Sequence, residues 1–233
     1  MLRSFKKLST IPSKDGVRPI LVLLSPSSGA MKRLLSICET YAVTHGLRYN
    51  PTKSEFMIFK PDHKRYNDIP HITLCGTPLT KVGRFKYLGH WITEDLNDNL
   101  DIERERRSLS VRCNMLIRRF AKCSKRVKTT LFNAYCQSFY ACSLWVNYTR
   151  RAYSDLRVQY NNAFRMLMGL PRYCSASAMF AETHTDGFAS IMRKRCASLL
   201  RRVRDSPNTI LHALLDRWDS PILAHWIRLH VVK

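Results

Sequence analysis

The sequence predicts an α+β chain in two parts: one helix among short strands up to about residue 95, then helices almost throughout. Three observations carry this. An amphipathic run at 28–45 lies among short apolar stretches bounded by turn residues. Beyond residue 95 apolar residues recur at helical spacing in four or five successive segments. The second part is also far more basic. The 233 residues carry 39 Lys+Arg against 17 Asp+Glu, a formal net charge of +22. Such a charge opposes compaction, so a polyanionic partner is the natural reason to carry it; nucleic acid leads over an anionic membrane surface or an acidic protein.

Ile20 to Leu24 reads as a short buried strand. In the helix that follows, Met31, Leu34, Leu35, Cys38 and Ala42 share one face, Ser27 or Ser28 caps the start, and Gly46 ends it. Leu47 to Tyr49 and Phe56 to Phe59 follow on either side of an Asn50-Pro51 turn. From Ile72 to Ile92 the pattern becomes hairpins. Ile72-Thr73-Leu74 and Leu79 to Val82 flank Gly76-Thr77-Pro78, and Phe85 to Leu88 runs through Gly89 into His90-Trp91-Ile92.

The helical part begins at about Ile102 to Phe120, with Ile102, Leu109, Cys113, Leu116 and Phe120 as its apolar stripe. A segment at 128–147 is apolar nearly all round and is expected to be a central helix. Helices at 152–168, stopped by Gly169 and Pro171, and at 187–204 follow. Residues 206–233 are expected to hold one short helix and a tail.

The longest apolar run, Ile20 to Leu24, is far short of the ~20 residues needed to cross a bilayer. Lys14, Asp15 and Arg18 interrupt any signal-peptide core near the start, so the chain is expected to be intracellular, nuclear or cytoplasmic, with no membrane partner. The eight cysteines form no CxxC pair and several fall on apolar helical faces, which predicts reduced, buried thiols and no disulfide-linked partner.

Between Arg104 and Lys128 stand ten Lys/Arg and one acidic residue, Glu105. The spacing of Arg107, Arg118 and Lys122 stacks them on one helical face, and Arg119, Lys125, Arg126 and Lys128 extend the charge; such a face suits tracking phosphates, the reading preferred at this net charge over a solvated face that only keeps the protein soluble. A second cluster, Arg193-Lys194-Arg195 with Arg201, Arg202 and Arg204, fits nucleic acid, a nuclear localisation signal or a solvated face equally well. No Gly-rich phosphate loop, GxSxG elbow or HExxH helix occurs. The carboxylate pairs Asp95 with Asp98 and Asp101 with Glu103 lie in a loop and at a helix start, where capping explains them. No catalytic or metal-binding residue is assigned.

Taken in order, Leu21-Val22-Leu23-Leu24-Ser25-Pro26, Asn50-Pro51-Thr52-Lys53-Ser54, Met57-Ile58-Phe59 and Phe85-Lys86-Tyr87-Leu88-Gly89 resemble the end of a reverse transcriptase. The likeness is to enzymes of non-LTR (LINE-type, jockey- or CR1-like) retrotransposons. Asn114-Met115-Leu116-Ile117-Arg118-Arg119-Phe120, Tyr160-Asn161-Asn162-Ala163-Phe164-Arg165 and Pro171-Arg172-Tyr173-Cys174 resemble the same enzymes' thumb and the segment after it. The resemblance covers roughly residues 21–205. It implies a truncated palm edge, one helix with short antiparallel strands, at 20–95, a helical thumb-like region at 96–205 and a C-terminal bundle. It places Lys53 near the incoming nucleotide's phosphates and makes Phe85, Lys86, Tyr87, Leu88 and Gly89 a primer-grip-like hairpin.

One departure governs the function that the resemblance implies. In the family an Asp-Asp turn, which binds the catalytic Mg²⁺, stands immediately before the Leu-Val-Leu-Leu strand. Here Val17-Arg18-Pro19-Ile20 occupy that stretch, with Pro19 and Ile20 at the metal positions. Neither side chain can ligate a metal, which removes the charge stabilisation that phosphoryl transfer needs. The fingers and first palm aspartate would lie upstream, and residues 1–19 match nothing in the family. The expectation is therefore a protein derived from an RNA-directed DNA polymerase that requires no cofactor and binds RNA, DNA or hybrid backbones without polymerase activity. The alternatives are a polymerase completed by another chain, or the product of a decayed element with no selected role.

Overall fold

The computed structural model describes residues 3–9, 20–60, 71–217 and 219–231. The chain forms two compact units, Met1–Asn97 and Asp98–Lys233, divided close to the shift in sequence character near residue 95. The architecture is α+β. Val17, Arg18, Pro19 and Asp15 lie outside the described residues.

In the first unit β1 (Arg3–Ser9), β2 (Ile20–Ser25), β3 (Glu55–Phe59) and β6 (Thr80–Lys81) form one sheet in the order β2-β1-β3-β6. The sequence predicts strands near 20–24 and 56–59 but no element before residue 20. Instead β1 lies between them and pairs antiparallel with both, Phe5 standing opposite Leu24 on one side and Met57 on the other. Basic residues at three of its seven positions had hidden a strand whose ladder is satisfied on both edges.

Alternation along β2 and β3 gives the sheet two apolar faces. Leu21, Leu23, Phe56 and Ile58 pack with Met31 and Leu35 of α1 (Ser28–Thr44). Val22, Met57 and Phe59 pack with Phe85, Tyr87 and Ile92. Those last three belong to the hairpin of β7 (Arg84–Tyr87) and β8 (His90–Thr93). Helix α1 starts where the Ser27 hydroxyl accepts the Ala30 N–H at 3.2 Å. It ends at His45, and Gly46 follows at φ +64°.

Both hairpins turn through two residues with positive φ, the mirror-image turn that matches strand twist. Leu88 (φ 46°) and Gly89 (φ 85°) connect β7 to β8. Between β4 (Thr73–Leu74) and β5 (Thr77–Pro78) the turn is Cys75-Gly76, not the expected Gly76-Thr77-Pro78. The segment beyond Leu79 then leaves that hairpin, because β6 pairs parallel with β3.

The second unit contains α2 (Asn99–Phe120), α3 (Lys125–Cys136), α4 (Arg150–Met168), α5 (Ala176–Glu182), α6 (Phe188–Arg204), α7 (Thr209–Leu215) and α8 (Pro221–Val231). Leu109, Cys113 and Leu116 of α2, Phe132 of α3, and Leu156, Tyr160 and Phe164 of α4 all bury in one core. Its centre is aromatic: Phe132 meets Phe164 edge-on at 4.9 Å, and Tyr160 stacks on Phe180 at 5.4 Å. Gly169, left-handed at φ +68°, ends α4, and the Leu170 N–H returns to the Arg165 carbonyl at 2.9 Å.

Two expectations need correction here. The 128–147 segment is not one central helix: α3 stops at Cys136, and the chain turns through Phe139 (φ 24°) and Ala141 (φ 62°). Phe139, Cys142 and Trp145 still bury, but from an irregular path, and α4 takes the central place. The C-terminal stretch is likewise two helices, not one and a tail. Trp226 of α8 is buried with Cys196 and Val203, and its Nε1–H donates to the Ser143 carbonyl at 2.7 Å. No helix among the described residues is long and apolar enough to cross a membrane.

All eight cysteines are free, four of them buried (Cys113, Cys136, Cys142 and Cys196) while Cys75 is exposed. Burial pushes the Cys113 and Cys196 thiols up to about 11 and those of Cys136 and Cys142 up to about 12. In the native chain at pH 8 these four are predicted to resist iodoacetamide while Cys75 alkylates, and to react once the chain is unfolded in guanidinium. Labelling followed by peptide mass spectrometry checks this; early alkylation of Cys136 would contradict the packing.

Candidate nucleic-acid interface

Three carboxylates near the start of α2 determine where the free positive charge lies. Asp101 is wholly buried and accepts Arg104 Nε at 2.7 Å, Arg104 Nη2 at 3.2 Å and Trp145 Nε1 at 2.8 Å. Glu105, also wholly buried, accepts Arg104 Nη1 at 3.0 Å and Arg112 Nη2 at 2.6 Å. Glu103 accepts Arg106 Nε at 2.6 Å and Arg107 Nε at 2.8 Å. The Arg106 and Arg107 guanidiniums hold the Glu103 carboxyl down at about 2, chiefly through the Arg106 hydrogen bonds.

Four arginines, 104, 106, 107 and 112, are thereby matched by three carboxylates of the same helix turns. Arg107 is thus engaged by Glu103, although its side chain is 76% exposed. The spacing with Arg118 and Lys122 predicts a free cation at Arg107, and the ion pair with Glu103 corrects this.

Downstream the acids stop. Arg118, Arg119, Lys122, Lys125, Arg126 and Lys128 follow within eleven positions with no Asp or Glu among them. No described carboxylate forms an ion pair with any of the six. All but Lys128, which is half-buried, are exposed. The α2 helix ends at Phe120, so Lys122 sits in the connecting turn and not on the helical face that its spacing predicted. The Ser124 hydroxyl caps α3 through the Val127 N–H at 3.4 Å, so Lys125 and Arg126 occupy that helix's first turn. Cations at the end of α2 meet the favourable pole of its dipole, whereas those opening α3 meet the unfavourable one. An anion seated on this turn relieves that second cost.

Arg118 and Arg119 also line a groove of about 420 Å³ with Val111, Asn114 and Met115. Val111 and Met115 are exposed large hydrophobic residues, and Asn114 adds an amide beside the guanidiniums. The sequence reading names Asn114 and Met115 only as part of the thumb-like motif, and Val111 not at all. A second stripe at i, i+4 and i+7 (Val111, Met115, Arg118), opposite the buried one, is the signal that could have found them.

The remaining positions singled out from sequence belong to the first unit. Lys53 is exposed at the end of a 3-10 turn, where its backbone N–H donates to Asn50 Oδ1 at 3.1 Å. In the β7–β8 hairpin Phe85 is buried against Met57, Lys86 is exposed opposite Trp91, Tyr87 is half-buried, and Leu88 stands 70% exposed at the tip beside Gly89. No hydrogen bond or ion pair joins Lys53 to the hairpin among the described residues.

The carboxylates considered as metal pairs have structural partners. Asp98 Oδ2 accepts the N–H groups of Val146 at 2.7 Å and Asn147 at 2.9 Å. Among the described residues no group of three His, Cys, Asp or Glu is arranged to hold a metal ion. Comparison with protein-family models, with curated proteins and with solved structures gave no match.

Two outcomes follow. Asp101→Ala strands Trp145 Nε1–H and half of the Arg104 fork, which should cost about 3–5 kcal/mol in guanidinium unfolding, as for other broken buried pairs. Glu103 has its folded pKa depressed from 4.5 to about 2, so its contribution is present above pH 4.5 and lost as pH falls through 2. Glu103→Gln should therefore flatten that part of the acid-unfolding curve, measured by circular dichroism.

Proposed function

We propose that this chain binds nucleic-acid backbones without sequence preference through the α2–α3 turn and has no polymerase activity of its own. The observation that carries the reading is the segregation of charge. The cations from 104 to 112 are answered by neighbouring carboxylates, whereas the six from 118 to 128 have none among the described residues. Cations left unanswered on one turn raise a local positive potential that attracts a polyanion. Contacts made by Lys and Arg to phosphates position a strand but carry little sequence information.

We further propose that the chain derives from the palm edge and thumb of a non-LTR retrotransposon reverse transcriptase. The support is the order of the sequence motifs, and the α2–α3 region is where that resemblance puts duplex contacts. Pro19 and Ile20, at the positions where the family carries its metal-binding aspartates, argue against catalysis.

Binding of a labelled RNA–DNA hybrid across a salt series tests the proposal. Each phosphate contact contributes about 0.7–0.9 to the slope of log affinity against log salt, so replacing Arg118, Arg119 and Lys122 by Ala should reduce the slope by about 2 to 3. Arg107→Ala should leave it nearly unchanged, and no Mg²⁺-dependent primer extension should accompany binding. A slope indifferent to the triple substitution would remove the α2–α3 turn from the interface.

A further inference from the structure

The second basic cluster, ambiguous as sequence, is sorted by the fold. Arg195, Ser198 and Arg202 lie at i, i+3 and i+7 on α6 and line a groove of about 430 Å³. Its other side is the irregular segment after α3, including Gln137, Ser138 and Ala141. That volume is within the range of small-ligand pockets, roughly 300–1,000 Å³. Lys194 at its edge is held by both Asp186 oxygens, at 2.7 and 2.6 Å. Arg195 and Arg202 have no carboxylate partner among the described residues. Each makes one long contact to a carbonyl: Arg195 Nη2 to Gln137 and Arg202 Nε to Ser198, both at 3.4 Å.

The backbone facing these arginines is unusual in two respects. Phe139 and Ala141 hold positive φ without being glycine, a cost that persists only where packing imposes it. Packing does so here: the Phe139 ring is buried between Tyr160 at 5.5 Å and Phe188 at 5.4 Å. In addition, the N–H groups of Ser138, Phe139 and Ala141 make no hydrogen bond to a described residue. Unbonded N–H groups around a left-handed residue form an anion-binding concavity. Seven residues of helix span about 10.5 Å, and Ser198 lies between Arg195 and Arg202 along the axis of α6.

We infer that the groove between α6 and the 137–143 segment is a second phosphate site, which takes one phosphate group of a nucleotide between Arg195 and Arg202. Its ligand class rests on the backbone-binding reading; its geometry does not. The phosphate can come from a free nucleotide or from the end of a strand.

The test is titration calorimetry of the full chain with AMP, and with one oligonucleotide carrying either a 5′-phosphate or a 5′-hydroxyl. R195Q/R202Q, both exposed positions, should keep the wild-type circular dichroism and lose at least tenfold in AMP affinity. S198A should show a smaller loss, and R33Q, at an exposed position of α1, should change AMP affinity less than twofold. A strand-end site adds a preference for the 5′-phosphorylated oligonucleotide that R195Q/R202Q abolishes; a free-nucleotide site treats both oligonucleotides alike. Either pattern supports the groove. AMP binding equal in the wild type and R195Q/R202Q, or no AMP binding at all, overturns it, even if the hybrid still binds. Conversely, AMP bound by the groove with no hybrid binding would overturn the α2–α3 reading and leave the groove standing.

Discussion

The buried Asp101 carboxylate holds three things at once: the Arg104 fork, the Trp145 indole and, through them, the irregular path that leads from α3 to α4. A carboxylate out of water is tolerable only with such a full set of donors. Its neighbours extend the same latch. Asp98 takes the N–H groups of Val146 and Asn147, and Asn99 takes the Thr149 N–H at 2.9 Å. Thr149 in turn caps α4 through Ala152. The first turn of α2 thus sets where α4 begins, and α4 carries the centre of the core.

This latch also decides the electrostatics. Asp101, Glu103 and Glu105 answer the arginines of the first half of α2, so the helix is close to balanced there. The second half and the turn beyond it have cations alone. A uniformly basic helix would repel itself along its length; concentrating the excess near 118–128 confines that cost to a place where a polyanion can offset it. The groove beside α6 repeats the logic on a smaller scale, with Lys194 answered by Asp186, and Arg195 and Arg202 left without an acid among the described residues.

Much of this was legible in the sequence where periodicity and punctuation agree. The helix at 28–45, with Ser27 before it and Gly46 after, and the helix ending at Gly169 were readable to within two residues. What failed did so for physical reasons. Residues 128–147 have the composition of a buried helix, yet tertiary contacts of Phe139 and Trp145 overrode local propensity and ended it at Cys136. The strand at Arg3–Ser9 was masked by its basic residues. Of the candidate interface, Arg118, Arg119, Lys122, Lys125 and Arg126 were legible as charge. That Arg107 is answered by Glu103, and that Arg195 and Arg202 share a groove with a segment some sixty residues earlier, depends on folding, and no spacing rule reveals it.

The proposed phosphate contacts lie at the α2–α3 turn. Lysine acetylation footprinting of the full chain, with and without a saturating RNA–DNA hybrid at low salt, tests it most directly. Protection of Lys122 and Lys125, with Lys32 of α1 labelled equally in both states, is the predicted result. Equal labelling of Lys122 and Lys125 with the hybrid bound would contradict it.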